Sequence, residues 1–365
     1  MKQDYPIRQM LLQRAALTKD PISGILELTP RCNLRCRMCY IRMSPEEMAP
    51  RGRERTLAEW LAIAEELRNA GVVFLLLTGG EPLLRPDFPQ LYRALAGMGF
   101  SISLNTNGTL MNDEIAALFR ELPPAAVNLT LYGAGESAYG RLCGDEQAFH
   151  RASNAIALLQ ANGTALRLNT TVTSCNQEEL PRIAAFAKAR SLPLRVVTYL
   201  FPPLRRDGPG MERLPPEEAG ALSAESRRWT DDPELLAARI AAVKARVPEP
   251  CAPGEDCLGG SREGLRCVAG NCQFWIAWNG EMYPCGMMPE PVVYPFRDGF
   301  LAAWRALTGS CAKLPVALDC EACSLKSYCL ACAAVARAET GRTDGIPDYA
   351  CRLTEAYCRT LGNME

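Results

Sequence analysis

Cysteine is the residue type in this chain best suited to carry chemistry, and its spacing is not random. Cys32, Cys36 and Cys39 stand together in RCNLRCRMCY. Three thiolates so placed can hold three corners of an iron-sulfur cube, which leaves the fourth iron open to a substrate or cofactor. The same spacing also suits a zinc site completed by a distant residue, or simply three buried cysteines. A second set lies far along the chain. Cys267 is followed by twelve residues, Gly280, four residues and Cys285; then come Cys320, Cys323, Cys329 and Cys332 in CEACSLKSYCLAC, and finally Cys351. Taken alone, CxxC-x5-CxxC is also readable as a small zinc module.

The elements that must position these thiols are legible as alternation. Strand patterns occur at GILEL (24 to 28), VVFLLLT (72 to 78), SISLNT (101 to 106), AVNLTL (126 to 131), ALRLNTTVT (165 to 173) and LRVVTYL (194 to 200). Between the first two, Thr56 and Glu59 make a capping-box pattern ahead of Leu57, Trp60, Leu61, Ala64 and Leu67 on one helical face. Asp87 precedes a helix with Leu91, Leu95 and Met98; Ile115, Leu118, Phe119 and Leu122 mark another, and two more fall near 146–162 and 177–190. Six strand-helix repeats predict an α/β fold with a parallel sheet and right-handed crossovers, either an open doubly wound sheet or an incomplete barrel. Residues 1–24 read as an N-terminal arm, 25–200 as the sheet domain, and 201–250 as a Pro- and Gly-rich linker with a helical connection. Residues 251–365 hold 12 of the 17 cysteines and show too little periodicity for an ordinary core, so they read as organised by metal.

Composition removes several alternatives. Lys+Arg number 40 against 41 Asp+Glu, for a formal net charge of -1, so nothing in the charge balance draws the chain to DNA or RNA. The single histidine, His150, cannot supply a multi-imidazole metal site and gives a Ser-His-Asp triad no motif to rest on; it reads as a surface or half-buried residue. No signal peptide and no apolar run long enough for a membrane span is present, and many clustered, unpaired-looking cysteines suit a reducing compartment. The expectation is a cytoplasmic protein with no nucleic-acid or membrane partner.

CxxxCxxC after the first strand, joined to TGGEP (Thr78 to Pro82) at the end of the second, resembles the radical S-adenosylmethionine (radical SAM) superfamily over residues 25–200. That resemblance implies a partial (β/α)6 TIM-like barrel, a [4Fe-4S] cluster on Cys32, Cys36 and Cys39, and S-adenosylmethionine (SAM) chelating the open iron. It further implies that one electron, from a donor such as flavodoxin or ferredoxin, splits SAM into methionine and a 5′-deoxyadenosyl radical that takes a hydrogen atom from the substrate. Gly79, Gly80 and Glu81 match the stretch that meets the SAM amino group. Asn105 and Asn107 lie where the family places groups near the ribose, Thr130 where it holds the carboxylate, and Tyr40 where backbone meets adenine. Met38 departs from the pattern, since an aromatic residue usually precedes the third cysteine.

The C-terminal cysteines resemble a SPASM domain, an extension that holds two auxiliary [4Fe-4S] clusters, for three clusters in all. The resemblance gives Cys267, Cys285 and Cys332 to the first, with Cys272 as fourth ligand, and Cys320, Cys323, Cys329 and Cys351 to the second. Two residues, not the usual three, separate Cys329 from Cys332. Cys143, Cys175, Cys251, Cys257, Cys311 and Cys358 are left without a role. NLTLYGAGESAYGRLCG resembles a segment of SPASM peptide maturases, so the expected substrate is a ribosomally made peptide, cross-linked through a thioether or another bond and delivered directly or by a separate precursor-recognition protein. A small molecule such as a sugar, amine or amino acid is the alternative. Formylglycine formation, as in anaerobic sulfatase maturation, is disfavoured because Gly286 stands where those enzymes carry an acidic residue.

Overall fold

The computed structural model describes residues 5–202, 212–249, 265, 267–317, 320 and 322–364. Cys251, Cys257 and the middle of the 201–250 connection lie outside the described residues. The sheet strands are β1 Ser23–Glu27, β2 Phe74–Thr78, β3 Ser101–Thr106, β4 Ala126–Thr130, β5 Leu166–Thr171, β6 Leu194–Val197, β7 Gln273–Ile276 and β8 Met282–Tyr283. They run in the order β6-β5-β4-β3-β2-β1-β7-β8. Strands β1 to β7 pair in parallel and β8 returns antiparallel to β7. The first six lie side by side in chain order with helices on the crossovers, the arrangement of a partial barrel.

Local sequence explains the crossovers. Helix Leu57–Asn69 begins where Thr56 Oγ1 accepts from the Glu59 amide at 3.3 Å and the Glu59 carboxylate accepts from the Thr56 amide at 2.8 Å, a closed capping box. Helix Asp113–Glu121 starts on Asn112, whose Oδ1 accepts from the Ile115 amide at 2.9 Å. Strand alternation then divides the sheet. Leu104, Val127, Leu129, Leu166 and Leu168 pack into the main core with Trp60, Leu91, Phe119 and Ile156 from the helices. Asn105, Asn128, Thr130, Arg167 and Asn169 alternate with them and therefore face the other, concave side.

The C-terminal region differs from its sequence-based expectation. It is not without a core: β7 extends the barrel sheet beside β1, in register from Ser23 opposite Gln273 to Leu26 opposite Ile276. Phe274 of β7, Phe300, Trp304 and Leu307 are buried in the same cluster as the barrel, with Phe274 and Phe300 rings 4.9 Å apart. Gly24 makes this join possible, because a Cβ there would stand 2.6 Å from the Phe274 ring. Phe300, Ala303, Trp304, Leu307 and Cys311 recur at helical spacing along helix Phe300–Cys311, a short periodic stretch that the sequence reading passed over. The Ala-rich stretch after the linker forms two helices, Pro216–Thr230 and Pro233–Ala245. Among the described residues no helix is long and apolar enough to cross a membrane.

Candidate iron-sulfur and cofactor site

The first cysteine loop leaves β1 at its carboxyl end and is fixed from three directions. On one side the Glu54 carboxylate takes both the Arg31 Nε at 2.7 Å and Nη2 at 2.9 Å and also accepts from the Thr29 hydroxyl. Arg85, only 5% exposed, donates to the Leu28 and Arg55 carbonyls at 3.1 Å each and grips Asp87 with two bonds. On a second side the end of β2 lies directly under the loop. The Gly80 amide donates to the Thr29 carbonyl at 2.7 Å and the Glu81 amide to the Arg31 carbonyl at 2.9 Å. A Cβ at Gly80 would fall 2.3 Å from the Arg31 oxygen, so glycine is required there by the loop's own backbone.

The end of β3 supplies the third tie. Asn107 Nδ2 donates to Cys32 Sγ at 3.6 Å and to Asn33 Oδ1 at 3.1 Å, while its Oδ1 accepts from the Thr109 amide at 2.8 Å. Glu81 is fully buried and accepts from the Asn107 amide and the Thr106 hydroxyl at 2.8 Å each and from the Leu83 amide at 3.1 Å. Burial pushes its carboxyl up to about 7, opposed by those three donors. Asn105 Oδ1 accepts from Asn128 Nδ2 at 2.9 Å, half-buried Thr130 ends β4 nearby, and Tyr40 packs between the main core and a second cluster with Trp275 and Trp278. Met38 is buried in the main core.

The three thiols share one electrostatic environment. Burial pushes Cys32 up to about 12, with the charges of Glu81, Cys39 and Cys36 adding to the rise. Cys36 moves the other way, lowered first by a hydrogen bond from Cys143 and then, against the cost of burial, by one from Tyr132. The Leu34 amide donates to Cys32 Sγ at 3.4 Å and the Arg42 amide to Cys39 Sγ at 3.3 Å. Such a ring of N–H donors on sulfur suits thiolates bound to a cuboidal cluster, where each sulfur takes a different iron. Among the described residues no three His, Cys, Asp or Glu side chains converge as a single metal ion requires.

The distal cysteines fall into two groups. Cys267 is pushed up to about 11 by burial and then by Cys332 and Cys285. Cys351 is raised by burial and by Cys329, Cys320 and Cys323. Cys272 is fully buried against Leu12, Ala15 and Ala16 of helix Tyr5–Thr18, and its Sγ reaches the Leu12 carbonyl at 3.6 Å. Cys311 lies against Gly270, Cys175 receives Arg37 Nη1 at 3.6 Å, and Cys358 is half-buried beside Glu249 and Cys329. His150 is exposed and meets Glu136 Oε1 at 2.6 Å. Sequence reasoning missed Cys143 and Tyr132 as neighbours of Cys36, and Glu54 and Arg85 as supports of the loop; their positions along the chain carry no local signal.

A cleft of about 310 Å³ is lined by Met43, Arg51, Trp278, Glu281, Tyr283 and Gly286. Met43 follows the first cysteine loop and Gly286 follows Cys285.

The Radical SAM superfamily model matches residues 26–187. AdoMet-dependent heme synthase of Methanosarcina barkeri (strain Fusaro / DSM 804) is 28% identical over 335 residues, 89% of this chain and 95% of that protein. Fe-coproporphyrin III synthase of the same organism is 29% identical over 50% of this chain and 44% of that protein. Among solved structures, Streptococcus suis SuiB bound to precursor peptide SuiA superposes with a TM-score of 0.66 at 15% identity, covering 94% of this chain and 79% of that one. Native anSMEcpe with bound AdoMet and Cp18Cys peptide gives 0.69 at 17% identity, covering 93% and 96%. At these identities the two structures share the fold.

Proposed function

Because residues 26–187 are a radical SAM domain, we propose that this enzyme binds SAM at a [4Fe-4S] cluster held by Cys32, Cys36 and Cys39 and uses the 5′-deoxyadenosyl radical to take hydrogen from a substrate. The carrying observation is the convergence of the ends of β1, β2 and β3: the Gly80 and Glu81 amides bind the cysteine loop, and Asn107 binds Cys32. The cluster supplies the electron. This chain's residues would fix its ligands, and Tyr40, Gly79, Gly80, Glu81, Asn105, Asn107 and Thr130 are assigned to SAM. The groups Cys267, Cys285, Cys332 and Cys320, Cys323, Cys329, Cys351 are assigned to two auxiliary clusters that pass electrons, with flavodoxin or ferredoxin as the external donor.

For the substrate, the nearly full-length similarity to a heme synthase supports a carboxylate-bearing tetrapyrrole. Arg167 and Arg195 lie on the concave side of neighbouring strands, Arg195 being in register with Asn169, and two guanidinium groups there suit carboxylate side chains. A peptide is the second reading, favoured by the fold shared with SuiB and anSMEcpe, each solved with a peptide. The cleft beside Gly286 is the entry assigned to either. The test is anaerobic turnover of the reconstituted enzyme with SAM and dithionite, using iron coproporphyrin III and cysteine-containing peptides in parallel. A SAM-dependent mass change of the porphyrin supports the first reading. A peptide that loses two hydrogens and can no longer be alkylated at its thiol replaces it with the second, and failure to form 5′-deoxyadenosine under any condition overturns both.

A further inference from the structure

We propose that Glu212, Arg213 and Leu214 form a strap that closes the open edge of the sheet at β6, and that Arg213 is the positioning residue that holds it. The strap stands apart from the SAM reading above; what its closure does for the reaction rests on that reading.

Strand β6 ends the sheet, with β5 as its neighbour on one side only. Its other side is covered. Val196 of β6 and Tyr199 just beyond it share an apolar cluster with Leu214, Ala219 of helix Pro216–Thr230, Val335 of helix Ala333–Thr340 and Leu353 of helix Asp348–Gly362.

The three strap residues reach different partners. Glu212 meets the barrel mouth: its carbonyl accepts from the Ser174 amide at 3.0 Å, and its carboxylate accepts from the Ser174 hydroxyl at 3.0 Å and pairs with Arg37 Nη2 of the first cysteine loop at 3.3 Å. Arg213 meets the C-terminal helices. Its Nη2 donates to Glu339 Oε1 at 2.7 Å, the oxygen that also accepts from the Tyr199 hydroxyl at 2.7 Å, and its guanidinium lies 3.9 Å from the centre of the Tyr349 ring. The Tyr349 hydroxyl in turn donates to the Leu214 carbonyl at 2.7 Å. Glu212 has φ 56°, a left-handed backbone that a residue with a side chain keeps only where its surroundings hold it.

The two ends of the strap differ in strength. The Arg37 and Glu212 side chains are 56% and 33% exposed, against 19% and 12% for Arg213 and Glu339, so solvent screens the first pair far more than the second. The ring face of Tyr349 adds to the hold on Arg213. The anchor is therefore at the C-terminal helices, and the contacts at the mouth depend on it. A closed edge keeps water from a radical reaction and suppresses side reactions.

The experiment is amide hydrogen exchange of the reconstituted full chain, read by mass spectrometry. In Arg213→Met the Ser174 amide should exchange about tenfold faster, as the loss of one charge-assisted bond implies, while helix Asp348–Gly362 keeps its protection. Glu339→Gln keeps the size of the side chain and loses only the charge opposite Arg213, so it should give about threefold; it decides alone if the methionine variant unprotects that helix. Arg37→Met should change Ser174 exchange by less than about twofold. No acceleration in Glu339→Gln overturns the proposal, and so does an Arg37→Met effect equal to that of Arg213→Met, which would move the anchor to the cysteine loop. With SAM and dithionite but no substrate, Arg213→Met should form 5′-deoxyadenosine about threefold faster than the parent; an unchanged rate beside faster Ser174 exchange overturns the closing role. Failure of the SAM reading is distinguishable, because then the parent itself forms no 5′-deoxyadenosine while the exchange rates still decide the strap.

Discussion

Asn107 Nδ2 donates to the sulfur of Cys32 across 3.6 Å, joining the end of the third strand to the loop that follows the first. The same side chain also holds Asn33 and Thr109, so one amide sets the spacing between two strand ends. Asn107→Ala should lower the stability of the metal-free protein by about 1–3 kcal/mol, because buried partners lose their bonds. Urea unfolding checks the value, and a change below a few tenths of a kcal/mol would remove Asn107 from this role.

Glu81 predicts a pH dependence with a definite sign. Its carboxyl is raised to about 7 in the folded protein, so the folded state holds this proton more tightly than the unfolded chain, where an ordinary carboxyl titrates near 4.3. Its contribution to stability should therefore fall as pH rises from the unfolded pKa through about 7 and then level off. Glu81→Gln should abolish that slope while weakening the protein at all pH values, since an amide offers one acceptor oxygen to donors that now share two. Denaturant midpoints of the metal-free parent and variant from pH 4.5 to 8 decide it; parallel curves would show that Glu81 does not titrate there.

Gly80→Ala tests the close approach of β2 to the cysteine loop. A Cβ 2.3 Å from a backbone oxygen cannot be absorbed by turning a flexible side chain, so the loop itself must move. The expected loss is about 2–4 kcal/mol of stability, together with poor retention of the first cluster after reconstitution. Iron analysis and thermal unfolding of the same samples read both. Normal iron and an unshifted melting curve would mean that the loop yields freely.

Iron content separates the cysteine sets. Three cubes correspond to about twelve irons per chain after anaerobic reconstitution. Replacing Cys32, Cys36 and Cys39 with Ala should leave about eight irons and stop formation of 5′-deoxyadenosine. Replacing Cys272 with Ala should leave the count unchanged, since its thiol is packed under helix Tyr5–Thr18 against Leu12. Loss of iron in that variant would return Cys272 to the ligands.

Short-range features were determined by sequence alone. Thr56 and Glu59 specify their capping box because both partners lie within one helical turn, and β3 occupies the SISLNT pattern from Ser101 to Thr106 because its alternation is visible within the strand. The loop spacing of Cys32, Cys36 and Cys39 and the Gly79-Gly80-Glu81 turn are equally local. The tertiary structure decided what depends on parts of the chain meeting at a distance. β7 joins the barrel at β1 through Phe274 filling the space over Gly24, Cys272 goes under the first helix, and Cys143 meets Cys36. No periodicity records such meetings, since each is fixed by how helices and strands pack around a shared core, and packing is resolved only when all the partners are present together.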